Sequence, residues 1–214
     1  MGEIIEMFSL IGSFIRLIKT KIELFGYNRF TIAEYFRKQG AKIGEGCSIV
    51  PFSLGTEPYL VKIGNNVTIA QGVCFITHDG GVWVFRKEIP DIQVFGTIII
   101  EDNCVIGQNS ILFPNVKIGH NSIVGAGSVV ISDIPPNTIA MGVPARPFGS
   151  VEKYKEKCIA RWNEQRPLGC NIEEGSTWWT TCHLEENRKK LKRHLVKLFW
   201  ESKENKKTEP NQCE

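Results

Sequence analysis

A strict period of six residues constrains this chain more than any other feature. Residues 100–135 divide into IEDNCV, IGQNSI, LFPNVK, IGHNSI, VGAGSV and VISDIP, and each unit opens on Ile, Leu or Val. The fourth slot holds Asn, Asn, Asn, Asn, Gly and Asp, and the fifth is mostly small. The same register runs through IGEGCS (43–48), IVPFSL (49–54), IGNNVT (63–68), IAQGVC (69–74) and FITHDG (75–80), with breaks at 55–62 and 81–99. A period of six matches neither the 3.6 of a helix nor the alternation of an ordinary strand. Asn, Gly and Asp are the residues that best tolerate left-handed backbone. Each unit therefore reads as a short strand plus a turn at a fixed place. Three units close a triangular coil, and stacked coils bury the first-slot aliphatics in one column.

The charge distribution agrees with that reading. Residues 39–149 carry six basic and eight acidic side chains, so most of the charge lies at the two ends. Cys47 and Cys104 sit in the fifth slot beside Ser53, Ser110, Ser122 and Ser128, as small inward fillers, and Cys74 in the sixth as a wall residue. Seven cysteines without CxxC spacing point to free thiols in a reducing compartment. No stretch reaches the length of about 18 apolar residues that a membrane helix needs. No signal-peptide pattern opens the chain, and the cytoplasm is the expected location.

The segment IGQNSILFPNVKIGHNSIVGAGSVVISDIPPNTIAMGVPARP resembles the last coils of the hexapeptide-repeat acyltransferases, most specifically in GAGSVV, DIPPNT and GVPAR. FITHDGG followed by a loop resembles the sugar and xenobiotic O-acetyltransferase branch. The resemblance covers roughly residues 40–148. It implies an all-β core, a left-handed parallel β-helix, with acetyl-CoA as donor and a homotrimer with three sites between subunits. The hand comes from the resemblance and not from the spacing.

Thioester-to-hydroxyl transfer needs a base, a held carbonyl and a donor for the oxyanion. Histidine is the side chain that titrates near neutrality. His78 occupies an outward turn slot just before the long break, and the resemblance makes it the general base. Asp79, Glu101 and Asp102 are the carboxylates considered as its orienter, Asp79 being the catalytic candidate. His120, His183 and His194 read as solvated. In the loop, Trp83 and Phe85 suit the face of an acceptor sugar, and Arg86 suits an acidic group or phosphate. Gly125, Ala126 and Ser128 leave room for a pantetheine arm. The resemblance assigns the Ala126 amide to the cofactor, together with Val143, Pro144 and Arg146. Two departures stand out: Ile131-Ser132 where relatives often carry Thr-Lys, and Val105 where many carry Trp. Lys153, Lys155 or Lys157 could then share the nucleotide phosphates with Arg146. No metal is expected, since His78 and His120 alone do not supply a three-histidine site.

The flanks are helical in pattern. A 3-4 apolar stripe from Ile4 to Phe25 predicts an amphipathic helix over 3–24. Further helices are expected over Thr31–Arg37, Ser150–Gln165 and His183 to Lys203, with a loop at 170–181 and a polar tail. The expected organisation is an N-terminal helical segment (1–39), a β-helix domain (40–148) with an insertion at 81–99, and a C-terminal helical extension (149–214). The basic run Arg188–Arg193 and the N-terminal stripe are candidate contacts with the inner face of a membrane; nucleic acid is not an expected partner. The expected function is an acetyl-CoA-dependent O-acetyltransferase acting on a sugar hydroxyl in bacterial surface polysaccharide synthesis. The alternatives are N-acetylation of a nucleotide-linked amino sugar and a non-catalytic β-helix scaffold.

Overall fold

The structure, a computed structural model, describes residues 22–51, 53–165 and 185–201. Of the expected helix over 3–24, all but the last residues lie outside this range; residues 22–25 are helical. The chain forms two compact units, Met1–Lys153 and Tyr154–Glu214.

The first unit opens on α1 (Ile32–Lys38), one residue later than expected, with Thr31 at its N-cap. Ile32, Ala33, Tyr35 and Phe36 are buried, and Phe36 is fully enclosed. They plug the first end of the coil stack. Arg37 ties the helix to the first turn through the carbonyls of Ile43 and Gly44, at 2.9 and 2.7 Å.

The coils follow as very short strands: β1 (Lys42–Ile43), β2 (Ser48–Ile49), β3 (Val61–Ile63), β4 (Thr68–Ile69), β5 (Cys74–Phe75), β6 (Ile98–Ile100), β7 (Val105–Ile106), β8 (Ile111–Leu112), β9 (Val116–Ile118), β10 (Ile123–Val124) and β11 (Val129–Val130). β12 (Thr138–Gly142) and β13 (Ala145–Ser150) close the stack as an antiparallel pair. The first face is β1-β3-β6-β9. The second is β2-β4-β7-β10-β12-β13, and the third β5-β8-β11. Apart from the β12–β13 pair every pairing is parallel. The unit is a parallel β-helix.

The period of six produces this directly. First-slot residues Ile49, Ile63, Ile69, Ile100, Ile106, Leu112, Ile118, Val124 and Val130 are all buried. The fourth slot takes positive φ at Asn66, Asn103, Asn109, Asn115 and Asn121 and at Gly46, Gly72 and Gly127. That is the backbone an L side chain avoids unless it is Asn or Asp, so the sequence repeats the one residue that makes the corner. Asn103, Asn121 and Asn137 then bond one above another through their amides, at 3.1 Å each. Buried fifth-slot hydroxyls and thiols bond the coil carbonyls: Ser110 Oγ donates to Gly107 O at 2.8 Å, and the Cys104 thiol reaches Gly119 O at 3.2 Å. Burial pushes the Cys47 and Cys104 thiols up from their ordinary values. Cys74 is exposed, as a wall residue should be. One filler departs from expectation: Ser53 is exposed and Leu54 takes the inward position, because the register breaks at the left-handed Gly55 that follows.

α2 (Val151–Gln165) follows β13 directly, so the expected boundary after residue 148 falls inside that strand. The second unit also holds α3 (Glu185–Val196) and a π-helical turn over Lys197–Glu201, within the helix expected to begin at His183. His194 Nε2 lies 3.0 Å from Gln165 O and is half-buried rather than solvated. The expected loop over 170–181, His183 and the tail lie outside the described residues. No helix among the described residues is long and apolar enough to cross a membrane.

Candidate active site

Both breaks in the period fall on the same corner of the prism, between the third face and the first. The earlier one brings Gly55–Leu60 across that corner, and the next coil sends out residues 79–97. His78 is the last residue before this excursion. It forms an antiparallel bridge with Phe95. Asp79 N donates to Val94 O and Gly96 N to Thr77 O, at 2.8 and 2.9 Å. The loop is thus pinned at its base like a small hairpin, which fixes the backbone that carries the imidazole.

The carboxylate on the ring is Glu57, not Asp79. His78 Nδ1 lies 3.2 Å from Glu57 Oε2 and 3.0 Å from Thr56 Oγ1. Thr56 Oγ1 donates to the same carboxylate at 2.8 Å, and so does the buried Thr77 hydroxyl. Nδ1 is therefore the protonated nitrogen, and Nε2 has no partner among the described residues. Burial pushes the Glu57 carboxyl up, but the hydroxyls of Thr77 and Thr56 and the His78 ring outweigh it, leaving the pKa below the ordinary carboxylate value. The His78 side chain is 47% exposed and that of Glu57 14%, so the imidazole is reachable and its carboxylate partner is sheltered.

Asp79 does something else. Its carboxylate accepts Gly81 N at 2.8 Å and caps the 3₁₀ helix Gly80–Phe85. Glu101 and Asp102 also miss His78, because they stand on the corner between the first and second faces. Glu101 takes Lys117 Nζ at 2.7 Å, His120 N at 2.9 Å and His120 Nδ1 at 3.2 Å. Led by the Lys117 ammonium and the His120 amide, these bonds hold its carboxyl down at about 2. His120 is thus a solvated turn residue, as expected, with Glu101 as its partner. Asp102 accepts Asn65 N at 2.7 Å.

Thr56, Glu57, His78, Trp83, Arg86 and Phe95 line a hollow of about 320 Å³. Trp83 is 69% exposed, and the Arg86 guanidinium lies 4.5 Å from the centre of its ring. Phe85, expected with them, does not line the hollow.

Residues 125–128 form a different corner, between the second face and the third. Gly107, one coil away, approaches it closely: a Cβ there would lie 2.4 Å from Ala126 N. Ala126 is exposed, and its amide has no backbone partner among the described residues. Gly127 has φ of +69°, and a Cβ there would meet nothing within 4 Å. Ser128 is buried, donating to Gly125 O at 2.7 Å and accepting Gly142 N at 3.2 Å. The second bond ties this corner to the turn carrying Val143, Pro144 and Arg146. Val143 is 73% exposed and Arg146 is exposed as well. The structure thus gathers the expected cofactor residues at one place, with Ser128 holding the corner from inside. Among the described residues no group of three His, Cys, Asp or Glu side chains is set to hold a metal.

Residues 97–132 match the family model described as hexapeptide repeat of succinyl-transferase. Protein CapG of Staphylococcus aureus is 48% identical over 138 residues, which are 63% of this chain and 80% of that one. This chain belongs to the hexapeptide-repeat acyltransferases. Galactoside O-acetyltransferase of Escherichia coli K12 is 36% identical to this acyltransferase, over 61% of the chain and 64% of that enzyme's length. A solved galactoside acetyltransferase in complex with coenzyme A aligns at 25% identity and a TM-score of 0.45, over 65% and 82% of the two chains.

Nothing in the spacing alone pointed to Glu57. A signal was nonetheless present. The break at 55–62 lies one coil before the break that follows His78, and Glu57 is the acidic residue within it.

Proposed function

We propose that this acyltransferase moves the acetyl group of acetyl-CoA to a hydroxyl of a sugar, with His78 as general base and no acyl-enzyme. The observation that carries the reading is the His78–Glu57 pair at the mouth of an open, aromatic-walled hollow. The donor supplies a thioester carbonyl, activated by its sulfur leaving group. Glu57 and Thr56 hold Nδ1–H, so Nε2 keeps the lone pair that takes the acceptor proton. The acceptor oxygen bonds to the carbonyl carbon as the C–S bond breaks. The proton on Nε2 then passes to the departing sulfur, leaving an acetyl ester and the free thiol. Ala126, through its open amide, and Val143, Pro144 and Arg146 beside it, would receive the donor. No metal takes part in this scheme.

His78 and Ala126 occupy different corners of one prism, so a single copy offers the base and the donor cradle apart. A closed three-fold ring apposes unlike surfaces of successive copies and can bring one copy's base to the next copy's cradle. A homotrimer with three shared sites is therefore part of the proposal. A place in surface polysaccharide synthesis inside the cell is likewise part of the proposal. N-transfer to an amino sugar would use the same base, so the acceptor decides between the two.

The test is release of CoA thiol with acetyl-CoA and a panel of hydroxyl- and amino-sugars. Turnover on hydroxyl sugars is expected. Turnover on amino sugars alone reverses the assignment, and calorimetry showing no acetyl-CoA binding favours a scaffold. The two carboxylates also separate. Asp79→Asn keeps an oxygen for Gly81 N and leaves turnover close to that of the parent. Glu57→Gln removes the charge that holds the ring and lowers kcat by at least about tenfold.

A further inference from the structure

The hollow beside His78 contains one cation, Arg86, that no ion pair among the described residues engages. Glu57 and Asp79 also line it, but both carboxylates are committed, Glu57 to Thr77, Thr56 and His78, and Asp79 to Gly81 N. The other acids of the loop, Glu88 and Asp91, do not line the hollow. Arg86 forms no ion pair among the described residues; its guanidinium packs over the Trp83 ring. An arginine laid on an indole keeps its fork of N–H donors free along the guanidinium edge. The stack also restrains a side chain that would otherwise lose much rotamer freedom on binding. A fork fixed this way suits a carboxylate or phosphate, which accepts two parallel bonds. The hollow's volume is near the small end of ligand pockets and fits a group of monosaccharide size.

We infer that the acceptor is an anionic sugar, bearing a carboxylate or a phosphate ester that Arg86 holds while a ring hydroxyl meets His78. The inference rests on the reading of this hollow as the acceptor site. It goes further by fixing the charge class of the acceptor and assigning its selection to one residue. Because the hollow is open, the preference should weaken as salt is added.

The experiment compares three acceptors of matched ring configuration: a neutral hexose glycoside, its hexuronate and its hexose phosphate. Each is assayed with the full chain and acetyl-CoA at low and high ionic strength. The parent is expected to favour at least one anionic acceptor over the neutral one in kcat/KM, by about tenfold to a hundredfold. Arg86→Gln collapses that ratio toward one, chiefly through KM, and Arg86→Lys restores part of it. Which anion gains more identifies whether carboxylate or phosphate is the natural group. Equal use of all three by the parent overturns the inference and leaves the acetyltransferase reading intact. A preference that survives in Arg86→Gln also overturns it. Transfer to no sugar of either class overturns both, since the hollow is then not a sugar site.

Discussion

Replacing His78 with alanine lowers kcat about 10²–10⁴-fold, the usual contribution of a positioned base, while the dissociation constant for acetyl-CoA stays unchanged by calorimetry. The two readouts separate because the imidazole would act on the acceptor proton, whereas the proposed donor cradle would hold the cofactor through residues of another corner. Removing the ring leaves Gly125–Ser128 and the 143–146 turn untouched. It also leaves the backbone in place, since the loop base is held by main-chain bonds from Asp79 to Val94 and from Gly96 to Thr77. Glu57 adds a pH dependence of stability at this site. Its folded pKa lies below its ordinary value of 4.5. Its stabilising contribution is thus full above the unfolded value and is lost only as pH falls through the lower folded value. Parent-like turnover in His78→Ala ends the assignment of His78 as base.

The coil was legible because every unit states its own geometry. Asn at 66, 103, 109, 115 and 121 marks a left-handed corner, and the aliphatic three residues earlier in each unit marks the inward wall. Both are local properties, and repetition removes the ambiguity that a single short apolar run would carry. His78 could be read for the same reason: an imidazole in a slot otherwise held by Asn or Gly breaks the rule at the point where the chain leaves the coil. Its carboxylate partner could not be found by inspecting neighbours. Asp79 is adjacent in sequence, but its side chain reaches its own turn, as Asp does at caps. Glu57 is 21 residues away and becomes adjacent only when one coil is stacked on the next. A break in the period marks where the chain leaves the wall, and two breaks one coil apart mark a shared ledge. Ser53 failed for the opposite reason, since the fifth-slot rule was extended into a unit that already belonged to a break. The hand of the coil was never in the spacing, because a six-residue turn closes equally well as a pattern in either sense.

Leu112→Ala is expected to destabilise the chain by about 2–5 kcal/mol, the range for deleting a buried leucine side chain without full collapse of the site. Leu112 lies in register between Phe75 on one coil and Val130 on the next, and all three are buried. Each coil contacts only its neighbours, so a gap in the middle of this column removes contacts on both sides. At about 2–4 °C per kcal/mol for a chain of this size, the melting temperature should fall well outside measurement error. Ile111 supplies the control. It is the other residue of β8, its side chain points outward and is only half-buried, and Ile111→Ala should shift the melt far less. The pair tests the inward-outward register without disturbing any corner. Equal shifts would mean that the column is not the principal support of the coil. The column also bears on catalysis. Phe75 leads in three residues to His78, and its strand is held to β8 by bonds of 2.9 Å from Cys74 N to Ser110 O and from Ile76 N to Leu112 O. Slack at Leu112 therefore loosens the third face where it delivers His78 to Glu57. Turnover of Leu112→Ala measured well below its melt should fall, while Ile111→Ala keeps the parent's rate. If Leu112→Ala melts early yet turns over normally, the loop base alone positions His78 and the column contributes only stability.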